Sequence, residues 1–170
     1  MIKEEMIKII KDNNLEEILQ IGWFDNEDKD FTINGGYVYF QFGEKYLCLK
    51  AVVGYSKLEI SITNSIIYYE SDADLIDGSI RISDFIFKNP IENPERRKVS
   101  EVVFYNLEEK ENMLLSDVLL INFCNGECIF LDPGFLKIKI GDLENKKFWE
   151  ENFEDKVILK TEKIDINKIV

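Results

Sequence analysis

Cys124 and Cys128, separated by Asn-Gly-Glu, are the residues whose type and spacing come nearest to a metal or redox motif. Two thiolates on one turn supply half of a closed zinc site, which takes four nitrogen or sulfur ligands. Only Cys48 remains as a further thiol, and the 170-residue chain contains no histidine. The missing imidazole also removes the commonest general base, and histidine-dependent nucleophilic triads with it. No Ser-x-x-Lys, Gly-x-Ser-x-Gly, Gly-x-x-x-x-Gly-Lys or Gly-x-Gly-x-x-Gly occurs. Cys124 and Cys128 are therefore expected to be small, half-buried residues that face each other across a hairpin, close enough to oxidise in vitro. The acidic runs Asp25, Glu27, Asp28, Asp30 and Asp72, Asp74, Asp77-Gly78 resemble calcium loops but lack the glycine at the sixth place and the glutamate at the twelfth. With 33 acids, carboxylate pairs are too numerous to single one out for acid–base chemistry. No catalytic residue, no metal site and no cofactor is assigned, and the expectation is a protein that is not an enzyme.

What the carboxylates offer instead is a field. The formal net charge is −12, from 33 Asp and Glu against 21 Lys and Arg. Such a surface repels phosphate backbones and anionic lipid headgroups, so neither nucleic acid nor membrane is expected as a direct partner. The one basic cluster, Arg96-Arg97-Lys98, is flanked by Glu92, Glu95 and Glu101. A basic protein would be steered towards this chain, whereas on the blander reading the charge serves solubility alone. Residues 12–30 hold seven acids (Asp12, Glu16, Glu17, Asp25, Glu27, Asp28, Asp30) and one base, Lys29; residues 70–84 hold five acids and one base, Arg81. Residues 142–155 hold six acids and two lysines. Trp23 and Phe24 lie in the first stretch, Phe148 and Trp149 in the third. Carboxylates beside aromatic rings suit a protein interface, although both tryptophans also suit helix-to-sheet packing. The candidate partner-binding residues are Asp25, Glu27, Asp28, Asp30, Asp72, Asp74 and Asp77. The alternative is a small-ligand or carbohydrate-binding β module that stacks its ligand on outward-facing Tyr37, Tyr39 and Tyr46.

The elements that must position these residues follow from periodicity. Helical spacing of Ile2, Met6, Ile9, Ile10 and then Leu15, Ile18, Leu19 predicts a helix over 2–21, with a break at Asn13-Asn14 and a stop at Gly22. A period of two over 37–42, 46–53 and 58–63, with short turns between, predicts an antiparallel meander with one face buried and the other wet or covered. Residues 64–79 read as an acidic loop and 80–87 as a strand. Asn89-Pro90 and Asn93-Pro94 make 88–97 a loop. A strand follows over 99–105, and then a charged loop or helical turn over 106–112. Asn125-Gly126 makes 118–124 and 128–131 a hairpin. Residues 136–140 alternate, 142–153 return to helical spacing, and 156–166 read as an edge strand. The fold class is α+β: an antiparallel β-sheet of meander and hairpins, an N-terminal helix and a short helix near 142–153. One domain spans 1–170. The odd cysteine count, and an N-terminus without an apolar signal segment, point to the cytoplasm.

Residues 118–152 read strand, Asn-Gly-Glu turn, Ile-Phe-Leu-Asp-Pro-Gly-Phe-Leu-Lys-Ile-Lys-Ile-Gly and Phe-Trp-Glu-Glu-Asn. With the size, the acidity and the absent catalytic motifs, the whole chain resembles the small immunity proteins of contact-dependent growth inhibition and related polymorphic toxin systems. That resemblance implies a cytoplasmic inhibitor that binds a cognate, basic toxin domain and blocks its active site. The likeness is one of whole-chain character and carries no residue assignment.

Overall fold

The computed structural model describes residues 1–25, 27, 29–54, 56–68, 75–87, 97–134, 137–152 and 161–168. Helix α1 (Ile2–Asp12) buries Met6, Ile9 and Ile10 along one stripe and carries Glu4 and Glu5 in its first turn, where the helix dipole favours acids. It ends at Asn13, whose backbone is extended and whose Nδ2 donates to the Ile9 carbonyl at 3.0 Å. The predicted helix over 2–21 is thus half right, because Leu15–Asp25 is a strand, β1. A bulge between Leu15 and Glu17 explains the misleading spacing. An unbroken strand sends residues three apart to opposite faces, but the extra residue of a bulge returns both Leu15 and Ile18 to the core. Leu19 and Ile21 pack on the other face, so β1 is apolar on both sides and shows no alternation.

Two antiparallel sheets follow. The first contains β1, β2 (Phe31–Ile33), β3 (Tyr37–Phe42), β4 (Lys45–Val52), β5 (Lys57–Thr63), β6 (Leu75–Arg81), β8 (Glu108–Glu109) and β9 (Leu114–Ser116). Its order is β2-β1-β3-β4-β5-β9-β8, with β6 also paired to β1. The second sheet runs β12 (Lys139–Gly141), β11 (Cys128–Asp132), β10 (Leu119–Phe123), β7 (Val99–Tyr105), β13 (Thr161–Asp165). Phe40, Phe42, Leu49 and Ile60 of the first sheet share one core with Val102, Phe104, Ile121 and Leu131 of the second and with the buried stripe of α1. The α+β class, the meander β3-β4-β5, the β10–β11 hairpin and both terminal helices agree with the sequence reading. The outer face of the second sheet is covered by α3 (Leu143–Glu151), whose Trp149 lies against Tyr105 and Phe130 with ring centroids 5.3 and 6.0 Å away.

Several boundaries differ from the reading. β6 begins at Leu75, inside the predicted acidic loop, and 83–86 form a helical turn, α2 (Ser83–Ile86), where a strand was expected. Residues 106–112 include the two-residue β8. Most of the predicted loop over 88–97, residues 135–136 and residues 153–160 lie outside the described residues. Arg97, read as part of a basic patch, is buried; its guanidinium donates to the Glu16 carbonyl and lies 4.9 Å from the centroid of the Phe87 ring.

One buried hydroxyl joins the two sheets. Ser116, on β9, accepts from the Tyr105 backbone N–H at 3.1 Å and lies 2.7 Å from the Val118 carbonyl oxygen and 2.9 Å from that of Tyr105. Tyr105 belongs to the other sheet, and Ser116 is fully buried. Removing one partner of a buried hydrogen bond leaves the other desolvated and unmatched, at a cost of about 1–3 kcal/mol. Ser116→Ala is expected to lower unfolding free energy by about that amount, read from the denaturant midpoint at unchanged m-value.

Candidate functional site

β1 is longer than the core it serves. Its first half, Leu15–Leu19, pairs with β3, and Gly22–Phe24 pair with β2. On the opposite edge, Leu19–Asp25 pair with β6 from Arg81 back to Leu75. Residues 22–24 therefore have a strand on both sides, and β2, β1 and β6 form a three-stranded arm. The antiparallel register sets Asp25 opposite Leu75 and Trp23 opposite Asp77. Two acidic stretches about fifty residues apart in sequence thereby meet at one end of one sheet.

The turn that closes β1 onto β2 holds its acids by local bonds. Asp25 Oδ1 accepts from the Glu27 backbone N–H at 2.8 Å, and the Asp25 carbonyl accepts from Lys29 N–H at 3.0 Å. Lys29 takes φ 58°, the left-handed conformation this turn requires. Glu27, Asp30 and Asp77 are exposed and Asp25 is half-buried. Four of the seven candidates, Asp25, Glu27, Asp30 and Asp77, are brought together. Asp28, Asp72 and Asp74 lie outside the described residues.

The opposite face of the arm is apolar, which the sequence reading missed. Phe24, Ile33 and Ile76 are 43%, 42% and 56% exposed. They are contiguous through the pairs Phe24↔Ile76, Phe24↔Phe31 and Gly22↔Ile33. The Phe31 and Phe24 rings meet at a tilt of 58° with centroids 4.9 Å apart. The Phe31 ring lies over two glycines that are themselves partners, Gly22 and Gly78; an added Cβ would meet it at 2.9 and 3.2 Å. The usable signal was the pair of glycines between alternating aromatic and aliphatic residues, since glycine inside a strand marks close approach. It was obscured because Gly22 reads as a helix stop and Asp77-Gly78 as a turn.

The arm is fastened where β6 ends. Ser83 Oγ accepts from the Ile18 backbone N–H at 2.7 Å and donates to the Glu17 carboxylate at 2.6 Å. Arg81 donates to the other Glu17 oxygen at 2.9 Å, and Ile82 N–H reaches the Ile18 carbonyl at 2.9 Å. The ladder between β1 and the 80s segment thus continues past the last strand residue.

Other candidate chemistry is dispersed. Tyr39 is fully buried; its hydroxyl lies 3.1 Å from the Ile67 carbonyl and its ring packs edge-on to Tyr46 at 6.3 Å. Tyr37 and Tyr46 are half-buried beside it, and Ile66 packs onto the same cluster. Of the three tyrosines expected to face outward, Tyr39 is thus buried, and Tyr37 and Tyr46 keep part of their surface. Cys128 opposes Asn122, not Cys124, because Cys124 already belongs to the turn. Among the described residues no group of three or more Cys, Asp and Glu side chains is placed to hold a metal. No helix among them is long and apolar enough to cross a membrane. Comparisons with protein-family models, with curated proteins and with solved structures find no match for this chain.

Two outcomes are expected. A Cβ at Gly22 would sit 2.0 Å from the Thr32 carbonyl oxygen, so Gly22→Ala must part β2 from β1. It should cost about 1–3 kcal/mol, as overpacking does, with hydrogen-exchange protection lost at 31–33 and retained in β4 and β5. Burial pushes the Cys48 and Cys128 thiols above their ordinary value, while Cys124 is exposed. Iodoacetamide near pH 8 should label Cys124 first, since the thiolate is the nucleophile; peptide mass mapping over time reads the order.

Proposed function

We propose that this chain is a non-enzymatic immunity protein, which binds a cognate basic toxin domain and neutralises it by covering its active site. The proposed contact is the arm. The observation that carries the reading is the arm: the β1–β6 register sets Asp25 and Asp77 at one end beside the turn that holds Glu27 and Asp30, and exposed Phe24, Ile33 and Ile76 stand on the opposite face. Among the described residues Asp25, Glu27 and Asp30 form no ion pair, so their charge is available to an incoming cation. A net charge of −12 accelerates encounter with a positive surface. The apolar face supplies desolvated contact area that slows release. In this reading the toxin's substrate groove, positive because it binds a polyanion, receives the arm, and the chain acts in the cytoplasm beside its target.

The test measures binding to a candidate cognate toxin domain with a positively charged substrate groove. Reversal of Asp25, Glu27 and Asp30 to lysine moves the net charge from −12 by six, to −6. The same shift made with Glu4, Glu5 and Glu111 is the control. The arm variant should associate about tenfold more slowly at low salt and lose most of its salt dependence; the control should change both far less. Association equal to that of the parent would remove the arm from the interface, and product formed by this chain alone would overturn the non-enzymatic reading.

A further inference from the structure

Asn34 and Asn125 are each followed by glycine, and every other asparagine is followed by a residue that carries a side chain. An Asn-Gly pair is chemically labile. With no Cβ in the way, the glycine backbone nitrogen can approach the asparagine side-chain carbonyl and close a five-membered ring. The two pairs start from the same local geometry. Asn34 Oδ1 accepts from the Gly36 N–H at 3.2 Å, and Asn125 Oδ1 accepts from the Glu127 N–H at 3.0 Å. Each side chain is thereby folded back over the peptide that follows it.

Their anchoring differs. The Asn34 N–H donates to the Ile21 carbonyl at 2.8 Å, and the Asn34 carbonyl accepts from the Tyr37 N–H at 3.3 Å. The Gly35 carbonyl accepts from the Ile138 N–H at 2.7 Å. Ile21, Gly36 and Ile138 are buried. The 34–36 turn is thus bonded to β1, to β3 and to the residue that precedes β12. Asn125 and Gly126 are exposed, and a Cβ on Gly126 would meet no atom within 4 Å. The Gly126 N–H donates to the Phe123 carbonyl at 3.1 Å, and the Phe123 N–H donates to the Glu127 carbonyl at 2.9 Å. Gly126 takes φ 87°, the left-handed residue that closes this kind of hairpin loop. Cys124 N–H bonds to the Lys98 carbonyl at 2.8 Å and holds the stem, which leaves Asn125 and Gly126 beyond that anchor. Opening costs least where the bonds to be broken stay within an exposed turn.

We propose that Asn125 is a site of spontaneous deamidation and that the fold protects Asn34 from the same reaction. The Gly126 nitrogen attacks Asn125 Cγ. The N–Cγ bond forms, the Cγ–Nδ2 bond breaks, and Nδ2 leaves as ammonia with the proton shed by the Gly126 nitrogen. Water then opens the ring at one of its two carbonyls, giving aspartate or isoaspartate, and nothing is oxidised or reduced. The reaction removes the Nδ2 group that donates to the Glu127 carboxylate at 2.6 Å and leaves a second carboxylate on the same turn. The net charge moves from −12 by one, to −13. The turn belongs to the second sheet and the arm to the first, so the inference stands independently of the proposed function.

The test holds the intact chain at mildly alkaline pH, in buffer and in denaturant, and follows positions 34 and 125 by peptide mass mapping over time. In buffer Asn125 should convert at least about tenfold faster than Asn34, because the opening that frees Asn34 breaks more bonds. In denaturant, where neither turn persists, the two rates should come together. Isoaspartate should accompany aspartate at position 125. Asn125→Gln, whose longer side chain must close a larger ring, should remove the acidic species that isoelectric focusing resolves in the aged native sample. Conversion of Asn34 as fast as Asn125 in buffer, a gap that persists in denaturant, conversion without isoaspartate, or a native Asn125 that stays intact while the denatured chain reacts would each overturn the inference.

Discussion

The two hydrogen-bonded edges of β1 are the constraint on which the rest depends. A strand bonded on one side only would leave either the 25–30 turn or the 75–77 segment unattached. Bonding on both sides holds them in one register, with Leu19 paired to Tyr39 on one edge and to Arg81 on the other. The cost is that such a strand has no solvent-facing backbone edge and two covered faces along its first half. Leu15 and Ile18 meet that demand in the shared core, and Leu19 and Ile21 meet it against the tyrosine cluster. Beyond Ile21 the cover ends, and the same strand presents Phe24 to solvent.

Charge is distributed to match. Among the described residues, Lys3 and Lys57 each bridge two acids, and both do so away from the arm. Lys3 joins α1 to Glu109 of β8 and Glu162 of β13, and Lys57 joins β5 to Glu108 and Asp117. Glu108 is held below the usual carboxylate range by its hydrogen bond with Lys57. Its small contribution is therefore present at neutral pH and fades as pH falls through that lowered value. Exposed pairs of this kind add little individually. Their consequence is positional: these cations hold the edges of both sheets, while the acids of the β1–β2 turn keep their field. Concentrated negative charge on an arm whose opposite face is apolar and uncovered destabilises a monomer slightly and favours a complementary partner, which is the physical basis of the proposed reading.

Much of the scaffold was legible. Strict alternation in 37–63 wrote the meander, Asn125-Gly126 wrote the hairpin, and the return to helical spacing over 142–153 marked α3. The misreadings share a cause. A bulge at Leu15/Glu17 gave a strand helical spacing, and Asp77-Gly78, ordinary turn residues, sit in a strand because Phe31 needs the space a side chain would take. Cys124 and Cys128 were set opposite each other by counting a three-residue loop, whereas the turn absorbs Cys124 and shifts the partner to Asn122. The four described acids of the candidate site were named from composition alone; that they adjoin one another, and that an apolar face lies behind them, was not readable.

By itself the sequence determined the sign and size of the charge, the absence of imidazole chemistry, the α+β class and most local elements, because each depends on residue type or on short-range periodicity. Only the tertiary structure decided which face of each strand is covered, that β6 returns to the free edge of β1, and that Phe24, Ile33 and Ile76 stand together in solvent. Those outcomes rest on pairings between residues tens of positions apart. Pairing register is set by mutual packing of both strands, and no single segment carries that information.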